Sequence, residues 1–314
     1  EPELEPEPEP EPSFATSNYK REYERAVPIR KAAQIIALIE TFVFTYCRVH
    51  GLESELEQAA ALRFSDQLQL DAGQHPAGGG GNLMAGVLHT AELLWTSATT
   101  FQGMGEHDKE FCSLLNAAIR SDNLDLSQPA SALSRGINAM CVVRGRMGTN
   151  LPFPPGEGGD PPGTTYRGGG FSDDHRDFFT VGKAFRQPCF LATSFARRTA
   201  EEFMQRQEDL GRQTVLWVIH VDPEGEHDLR KRCKHVNFVQ HSLIVDAAGN
   251  PTELEYLFSA YSIFTVRSAT WGQGGAPHHI ELNAASDNRV EAEGGEGDWA
   301  TPVDSETLPL APWS

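Results

Sequence analysis

The change of periodicity along the chain is the feature that most limits its fold. In the first half, apolar side chains recur at helical spacing, as at Ile36, Ile39, Val43 and Tyr46. After a Gly- and Pro-rich stretch over 151–164, short β-like runs replace this pattern. Because helices come first and strands follow without regular alternation, the sequence predicts an α+β fold rather than a doubly wound sheet.

The predicted helices fill the first half, and one more interrupts the predicted strands. Helices are expected over 28–50, 53–70, 82–101, 107–120, 131–144 and 197–210, and strands over 215–221, 235–245, 253–258, 262–268 and 278–283. The four glycines at 78–81 are not followed by Gly-Lys-Ser/Thr and do not follow a strand. They therefore predict a connector rather than a phosphate-binding loop.

Both ends of the chain are acidic and poor in apolar residues. Residues 1–12 alternate Glu and Pro, and 286–314 is rich in Gly, Glu and Pro. Such segments bury too little apolar surface to offset the cost of ordering them. The sequence thus predicts disordered tails over 1–17 and 286–314, and one domain over 18–285 with a helical part (18–150) and a β-rich part (151–285).

Composition excludes several classes of protein. The formal charge of −18 argues against a nucleic-acid footprint or adsorption to an anionic membrane. Five widely spaced cysteines without a CxxC pair predict neither a disulfide framework nor a structural zinc. The apolar stretch 35–47 is broken by Glu40 and is too short to insert into a bilayer. We expect a soluble protein of unknown compartment, with the cytoplasm favoured and secretion left open.

Two segments of the second half could contribute to a binding site, the first by binding an anion and the second through its hydroxyl groups. Arg167 carries a guanidinium fork that matches phosphate oxygens, and Gly168 beside it lets a ligand approach the backbone. A solvated loop arginine is the alternative. Thr193 and Ser194 end a short apolar strand, where they would cap the next helix or contribute to a site.

A third segment carries two carboxylates, Glu253 and Glu255. If the segment is a strand, both side chains project to one face, and Leu254 and Tyr256 project to the other. The two carboxylates lie either on a solvated outer face or in a site where each has a different task. In the second case one carboxylate steadies a cation while the other accepts a proton.

Taken in order, these segments resemble a known family. Tyr-Arg-Gly at 166–168, Phe-Leu-Ala-Thr-Ser at 190–194 and Glu-x-Glu at 253–255 are similar to the motifs of the R-S-E class of mono-ADP-ribosyltransferases. This class includes the cholera-toxin-like and the vertebrate arginine-specific enzymes, and the match covers 166–268. The resemblance implies an ADP-ribosyltransferase fold, with an N-terminal helical lobe followed by two mostly antiparallel β-sheets around an NAD cleft.

The resemblance also implies an activity and its partners. The chain would transfer ADP-ribose from NAD to an accessible arginine of a protein and release nicotinamide, without a metal. Glu255 would be the catalytic carboxylate, hydrogen-bonded to the 2′-OH of the nicotinamide ribose, and Glu253 would engage the acceptor. Arg167 would bind a phosphate of NAD.

The remaining roles follow from the same resemblance. The backbone of Gly168 would receive the nicotinamide amide, and Thr193 and Ser194 would hold the site together. Phe203 and Arg206 fall where related enzymes place a ring on the nicotinamide and a further phosphate contact, although Phe203 could instead face the core.

One position departs from the family pattern. Ala192 stands where the first Ser of Ser-Thr-Ser usually hydrogen-bonds the catalytic carboxylate, so Glu255 would be less well positioned unless Thr193 compensates. Two alternatives to transfer therefore stay open. The chain could be an NAD glycohydrolase on the same fold, or a catalytically degenerate NAD-binding or scaffold protein. The protein target cannot be read from the sequence.

Overall fold

Helices precede strands along the chain, which confirms the α+β prediction. The computed structural model describes residues 12–74, 83–141, 157–221, 233–247, 249, 252–285, 288 and 305–312. The helices are α1 Asn18–Arg25, α2 Ala32–Val49, α3 Glu55–Ala72, α4 Leu83–Trp95, α5 Phe111–Ser121, α6 Leu124–Cys141 and α7 Arg197–Asp209. The four glycines at 78–81 and most of the predicted tails lie outside the described residues.

The first six helices pack around an apolar core centred on α2. Ile35, Ile39 and Phe42 of this helix are fully buried. On α6, a Cβ at Gly136 would lie 2.9 Å from the Ile35 side chain, so glycine allows the two helices to approach closely. Among the described helices, α2 is long and apolar enough to cross a membrane by length and composition, a test that buried core helices also pass.

The strands form one eight-stranded, mostly antiparallel sheet. They are β1 Thr164–Gly170, β2 Ala184–Gln187, β3 Leu191–Ser194, β4 Thr214–His220, β5 Val236–Phe238, β6 Glu255–Phe258, β7 Ser262–Thr270 and β8 His278–Ala284. Their order across the sheet is β2-β7-β8-β4-β1-β3-β6-β5, and β4 and β8 are parallel.

The described strands form one sheet where two are expected, and the junction between β1 and β3 shows why. Strand β1 pairs with β4 along its whole length, from Thr164 opposite His220 to Gly170 opposite Thr214. With β3 it shares a single register pair, Tyr166 opposite Ser194. Beyond that pair β1 and β3 separate, so two portions of the sheet meet at one point and leave a gap between them.

Several predicted boundaries differ from the structure. Residues 166–168 lie within β1 rather than in a loop, and their glycines concealed the strand because they lack side chains with strand propensity. The strand predicted over 235–245 is reduced to Val236–Phe238. The helix predicted over 82–101 ends at Trp95, and the one predicted over 131–144 begins earlier, at Leu124.

The described parts of the two chain ends are ordered against each other. Ser13 forms a β-bridge with Pro309, and the amide of Ala15 donates to the carbonyl of Glu306 at 3.0 Å. Arg186 is only 2% exposed and donates through Nε to the carbonyl of Ser305 at 2.7 Å. The prediction of disordered tails is therefore wrong for 13–17 and 305–312, because 305–312 hydrogen-bonds to the edge strand β2 and 13–17 hydrogen-bonds to 305–312.

We expect deletion of residues 305–314 to destabilise the protein by at least about 2 kcal/mol, because the buried Arg186 guanidinium loses an acceptor. Urea denaturation measures the change in the free energy of unfolding. Deletion of residues 313–314 alone is the control and should leave the midpoint unchanged. Equal stability of both truncated proteins would contradict the structural role of this segment.

Candidate active site

The gap between β1 and β3 is held by Arg167. Its Nη1 donates to the carbonyl of Ala192 on β3 at 2.8 Å, across the place where the two strands have separated. Burial lowers the pKa of the guanidinium, and the nearby carboxylate of Glu255 partly offsets that effect. The arginine therefore lies beside a predicted catalytic carboxylate rather than in solvent.

Gly168 lets helix α7 lie directly against β1. A Cβ at this position would lie 1.8 Å from the carbonyl oxygen of Ala200 and 2.8 Å from the Met204 side chain. By contrast, a Cβ at Gly169 would meet nothing within 4 Å. A side chain at 168 would therefore push α7 away from the strand that carries Arg167.

The two hydroxyls of β3 link it to the segment that carries the glutamates. Thr193 Oγ1 donates to the carbonyl of Tyr256 at 2.9 Å. Ser194 Oγ donates to the carbonyl of Glu253 and accepts from the amide of Ala196 at 3.0 Å. The N-cap residue of α7 is Ala196, and no side chain caps it. Neither hydroxyl therefore caps the helix, and both fix the position of the Glu253–Tyr256 backbone.

Glu255 begins β6, and a residue of the helical half hydrogen-bonds it. The indole Nε1–H of Trp95, at the end of α4, donates to Glu255 Oε1 at 2.7 Å. Burial, with a smaller contribution from Glu253, raises the pKa of Glu255 to about 7, although the hydrogen bond from Trp95 opposes this rise. Sequence reasoning missed Trp95 because the two residues are 160 positions apart and no local pattern connects them.

Glu253 lies just before the strand, not within it. Leu254 between the two glutamates has φ +45°, in the left-handed region, and β6 starts only at Glu255. The prediction of a strand over 253–258, with both glutamates on one face of it, is therefore wrong at its first two residues. A left-handed leucine costs about 1–2 kcal/mol. The contact of Ser194 with the Glu253 carbonyl helps to hold this bend.

One small cavity brings the predicted motifs together. Its volume is about 90 Å³. Its lining includes Arg167, Gly168, Ala192, Thr193, Ser194, Phe203, Glu253 and Glu255. The cavity thus combines a cation, two carboxylates and an exposed ring, on elements from three parts of the chain.

A larger cavity of about 670 Å³ adjoins the first, and both are lined by Arg167, Gly168 and Phe203. Phe203 is 38% exposed, so it faces the cavities rather than the core. The larger cavity also contains a cation that sequence reasoning missed, Arg212, whose Nη1 donates to Gln207 Oε1 at 2.9 Å. Together the two cavities form a cleft along β1 and α7.

Arg206 is the predicted site residue that does not line either cavity. Its guanidinium lies over the ring of Phe203, with Cζ 4.8 Å from the ring centroid. In this position it orients Phe203, and its positive charge lowers the pKa of Glu253, which burial and then Glu110 raise. Arg206 thus lies near the carboxylate of Glu253 at the mouth of the cleft.

Comparisons with known proteins give similar structures but no related sequence. The sequence matches no protein-family model and no curated protein. The structure is similar to Vis toxin, an ADP-ribosyltransferase from Vibrio Splendidus, with 16% identity over 74% of this chain and 87% of that chain and a TM-score of 0.40.

Two further solved structures are similar over most of the chain. Exoenzyme S from Pseudomonas aeruginosa, solved with human 14-3-3 protein beta and bound to Carba-NAD, has 14% identity over 82% of this chain and 94% of that chain, with a TM-score of 0.39. The type III effector XopAI from Xanthomonas axonopodis pv. citri has 12% identity over 85% and 90%, with a TM-score of 0.42. Similarities at this level do not assign an activity to this chain.

We expect Gly168→Ala to destabilise the protein by at least about 2 kcal/mol, because its methyl group overlaps the Ala200 carbonyl. Gly169→Ala is the matched control on the same strand and should change the free energy of unfolding by less than about 0.5 kcal/mol. Chemical denaturation of both variants gives the comparison. A similar decrease in the free energy of unfolding of both variants would show that α7 does not pack closely against β1 at Gly168.

Proposed function

We propose that the protein is a mono-ADP-ribosyltransferase that transfers ADP-ribose from NAD to arginine side chains of protein. The observation that carries the proposal is the shared cavity of Arg167, Glu253 and Glu255. These residues belong to motifs that resemble those of the R-S-E class, and they come from separate strands and turns. A chance likeness of three short motifs would not require their side chains to line one cavity.

The cleft has room for NAD in two parts. Ligand pockets for molecules of this class usually measure about 300–1,000 Å³. The small cavity of about 90 Å³ is therefore too small for the whole dinucleotide and would receive only its nicotinamide end. The larger cavity would hold the remainder of the dinucleotide, with Arg167 between the two as the phosphate ligand. Phe203 lines both parts and offers its exposed ring to the nicotinamide.

Cleavage would use Glu255 to stabilise charge on the sugar. As the bond between nicotinamide and C1′ breaks, nicotinamide leaves with the bonding electrons and the ribose becomes oxocarbenium-like. The Glu255 carboxylate accepts a hydrogen bond from the 2′-OH and places negative charge near C1′. Removing one such preorganised interaction typically raises the activation free energy by about 3–4 kcal/mol. No metal takes part in these steps.

The acceptor would meet the acidic mouth of the cleft. Glu253 is less deeply buried than Glu255. Burial, and then Glu110 and Glu202, raise the pKa of Glu253, whereas Arg206 lowers it, so three carboxylates and one cation lie near one another there. Such a mouth attracts a cation such as an arginine side chain. Because a guanidinium has a pKa above about 12, a carboxylate must orient it and accept its proton as the N–C1′ bond forms. Glu253 would perform that task.

Trp95 would supply the hydrogen bond that Ala192 lacks. In the family pattern the first hydroxyl of Ser-Thr-Ser donates to the catalytic carboxylate, whereas here the indole of Trp95 donates to Glu255. Thr193 does not compensate, since its hydroxyl donates to the Tyr256 carbonyl. A positioned Glu255 favours an active enzyme over a degenerate scaffold.

We expect Glu255→Gln to abolish both nicotinamide release and transfer, because the charge opposite the oxocarbenium is lost. Glu253→Gln should suppress transfer while sparing part of the hydrolysis of NAD, because only the acceptor loses its base. Labelled NAD with and without agmatine, a small guanidine, measures both reactions.

Two results of this assay would favour the alternatives. Nicotinamide release that agmatine does not change, with no agmatine adduct, would identify a glycohydrolase. Tight NAD binding without any cleavage would identify a degenerate NAD-binding protein, and equal loss of both reactions in Glu253→Gln would contradict the division of tasks.

We expect the rate of NAD cleavage by the wild type to rise with pH through about 7, because Glu255 acts as a carboxylate. Trp95→Phe removes the donor that stabilises that carboxylate, so the profile should move to higher pH and the rate at pH 7 should fall at least about tenfold. Adding Ala192→Ser to this variant should restore part of the rate. An unchanged pH profile in Trp95→Phe would contradict the role of the indole.

A further inference from the structure

Two histidines and a buried glutamate converge outside the cleft, between α4 and the segment after β5. His89 and Glu92 lie about one turn apart on α4, and His241 approaches them from the segment after β5. One potential ligand atom from each residue lies within 4.8 Å of the other two. The two imidazole rings are nearly perpendicular, with centroids 4.6 Å apart. The three side chains thus face a common point.

A hydrogen bond to the backbone orients the His89 ring for a metal ion. Its Nε2 lies 2.8 Å from the carbonyl oxygen of Gln74. A carbonyl can only accept a hydrogen bond, so Nε2 carries the proton and the lone pair resides on Nδ1. Histidines that ligate metals commonly donate their other ring N–H to a backbone carbonyl in this way, which sets the tautomer.

Glu92 is held in a similar manner. The residue is 6% exposed, and its Oε1 accepts from the amide of Gln240 at 3.1 Å. Its Oε2 contacts Nδ1 of His241. One oxygen is thus anchored to the backbone, and the other is directed at an imidazole nitrogen. A carboxylate excluded from water is costly unless positive charge or several donors face it.

We propose that His89, Glu92 and His241 bind one divalent transition-metal ion, with Zn²⁺ the best match. Two imidazoles and a carboxylate are ligands that Zn²⁺ accepts at about 2.0–2.2 Å, with water in the fourth tetrahedral position. The exposed His241 can turn to open its contact with Oε2 for the ion. Nothing in the spacing of these residues along the chain predicts the site, because His241 is 149 positions from Glu92.

The ion would fasten the segment before Glu253 to α4. This segment already contacts the residue that follows the helix, because the amide of Leu243 donates to Thr96 Oγ1 at 3.1 Å. The same helix ends with Trp95, the donor to Glu255. The ion would therefore tie two segments together outside the cleft, and its binding does not depend on the proposed transferase activity.

The test is metal binding by the full chain after treatment with a chelator. Isothermal titration with Zn²⁺ should give one equivalent, and Co²⁺ should give visible absorption bands of a tetrahedral site. His89→Ala and His241→Ala should each weaken Zn²⁺ binding at least tenfold, whereas His279→Ala, a histidine on β8 outside the cluster, should have no effect. Zn²⁺ should also raise the unfolding temperature of the wild type and of His279→Ala, but not of the other two variants.

Circular dichroism shows whether each variant is folded before titration. Glu92→Gln keeps an acceptor for the Gln240 amide and removes the charge, so it should also weaken binding if it folds. Absence of Zn²⁺ binding by the wild type would overturn the proposal and leave a hydrogen-bonded His–Glu pair. Binding of unchanged affinity in His89→Ala and His241→Ala would overturn it as well, and would point to the cysteines instead.

Discussion

The hydrogen bond from Arg167 to the Ala192 carbonyl is the interaction on which the cleft depends. Strands β1 and β3 share one register pair and then separate, and the guanidinium bridges them where backbone pairing has stopped. Its positive charge also lies near Glu255, so each charge offsets part of the other's burial cost. A gap in the sheet thereby becomes a cleft lined by one cation and two carboxylates.

Helix α4 shows that the helical half does more than cover the sheet. Trp95 donates to Glu255, Glu92 accepts from the amide of Gln240, and Thr96, directly after the helix, accepts from the amide of Leu243. The helix thus contacts both the carboxylate and the segment that leads to Glu253. Rigid elements position side chains more accurately than loops do, and here the rigid element comes from the half without motifs.

The site concentrates features that oppose stability. Glu255 is buried with a pKa raised to about 7, and Leu254 adopts a left-handed conformation between the two glutamates. Both are costs that a protein selected only for stability would avoid. The hydroxyls of Thr193 and Ser194 and the indole of Trp95 compensate by satisfying the polar groups around them.

Local sequence determined the class of the fold and most of the candidate residues. The helical periodicity of α2 and α3 and the apolar runs of β4 and β8 are properties of neighbouring residues, so they can be read without a structure. Tertiary structure alone decided that β1 is a strand, that the sheet is continuous through one pair, and that Trp95 hydrogen-bonds Glu255. These features are hydrogen bonds between segments distant in sequence, and a local pattern carries no information about which distant segment will supply the partner.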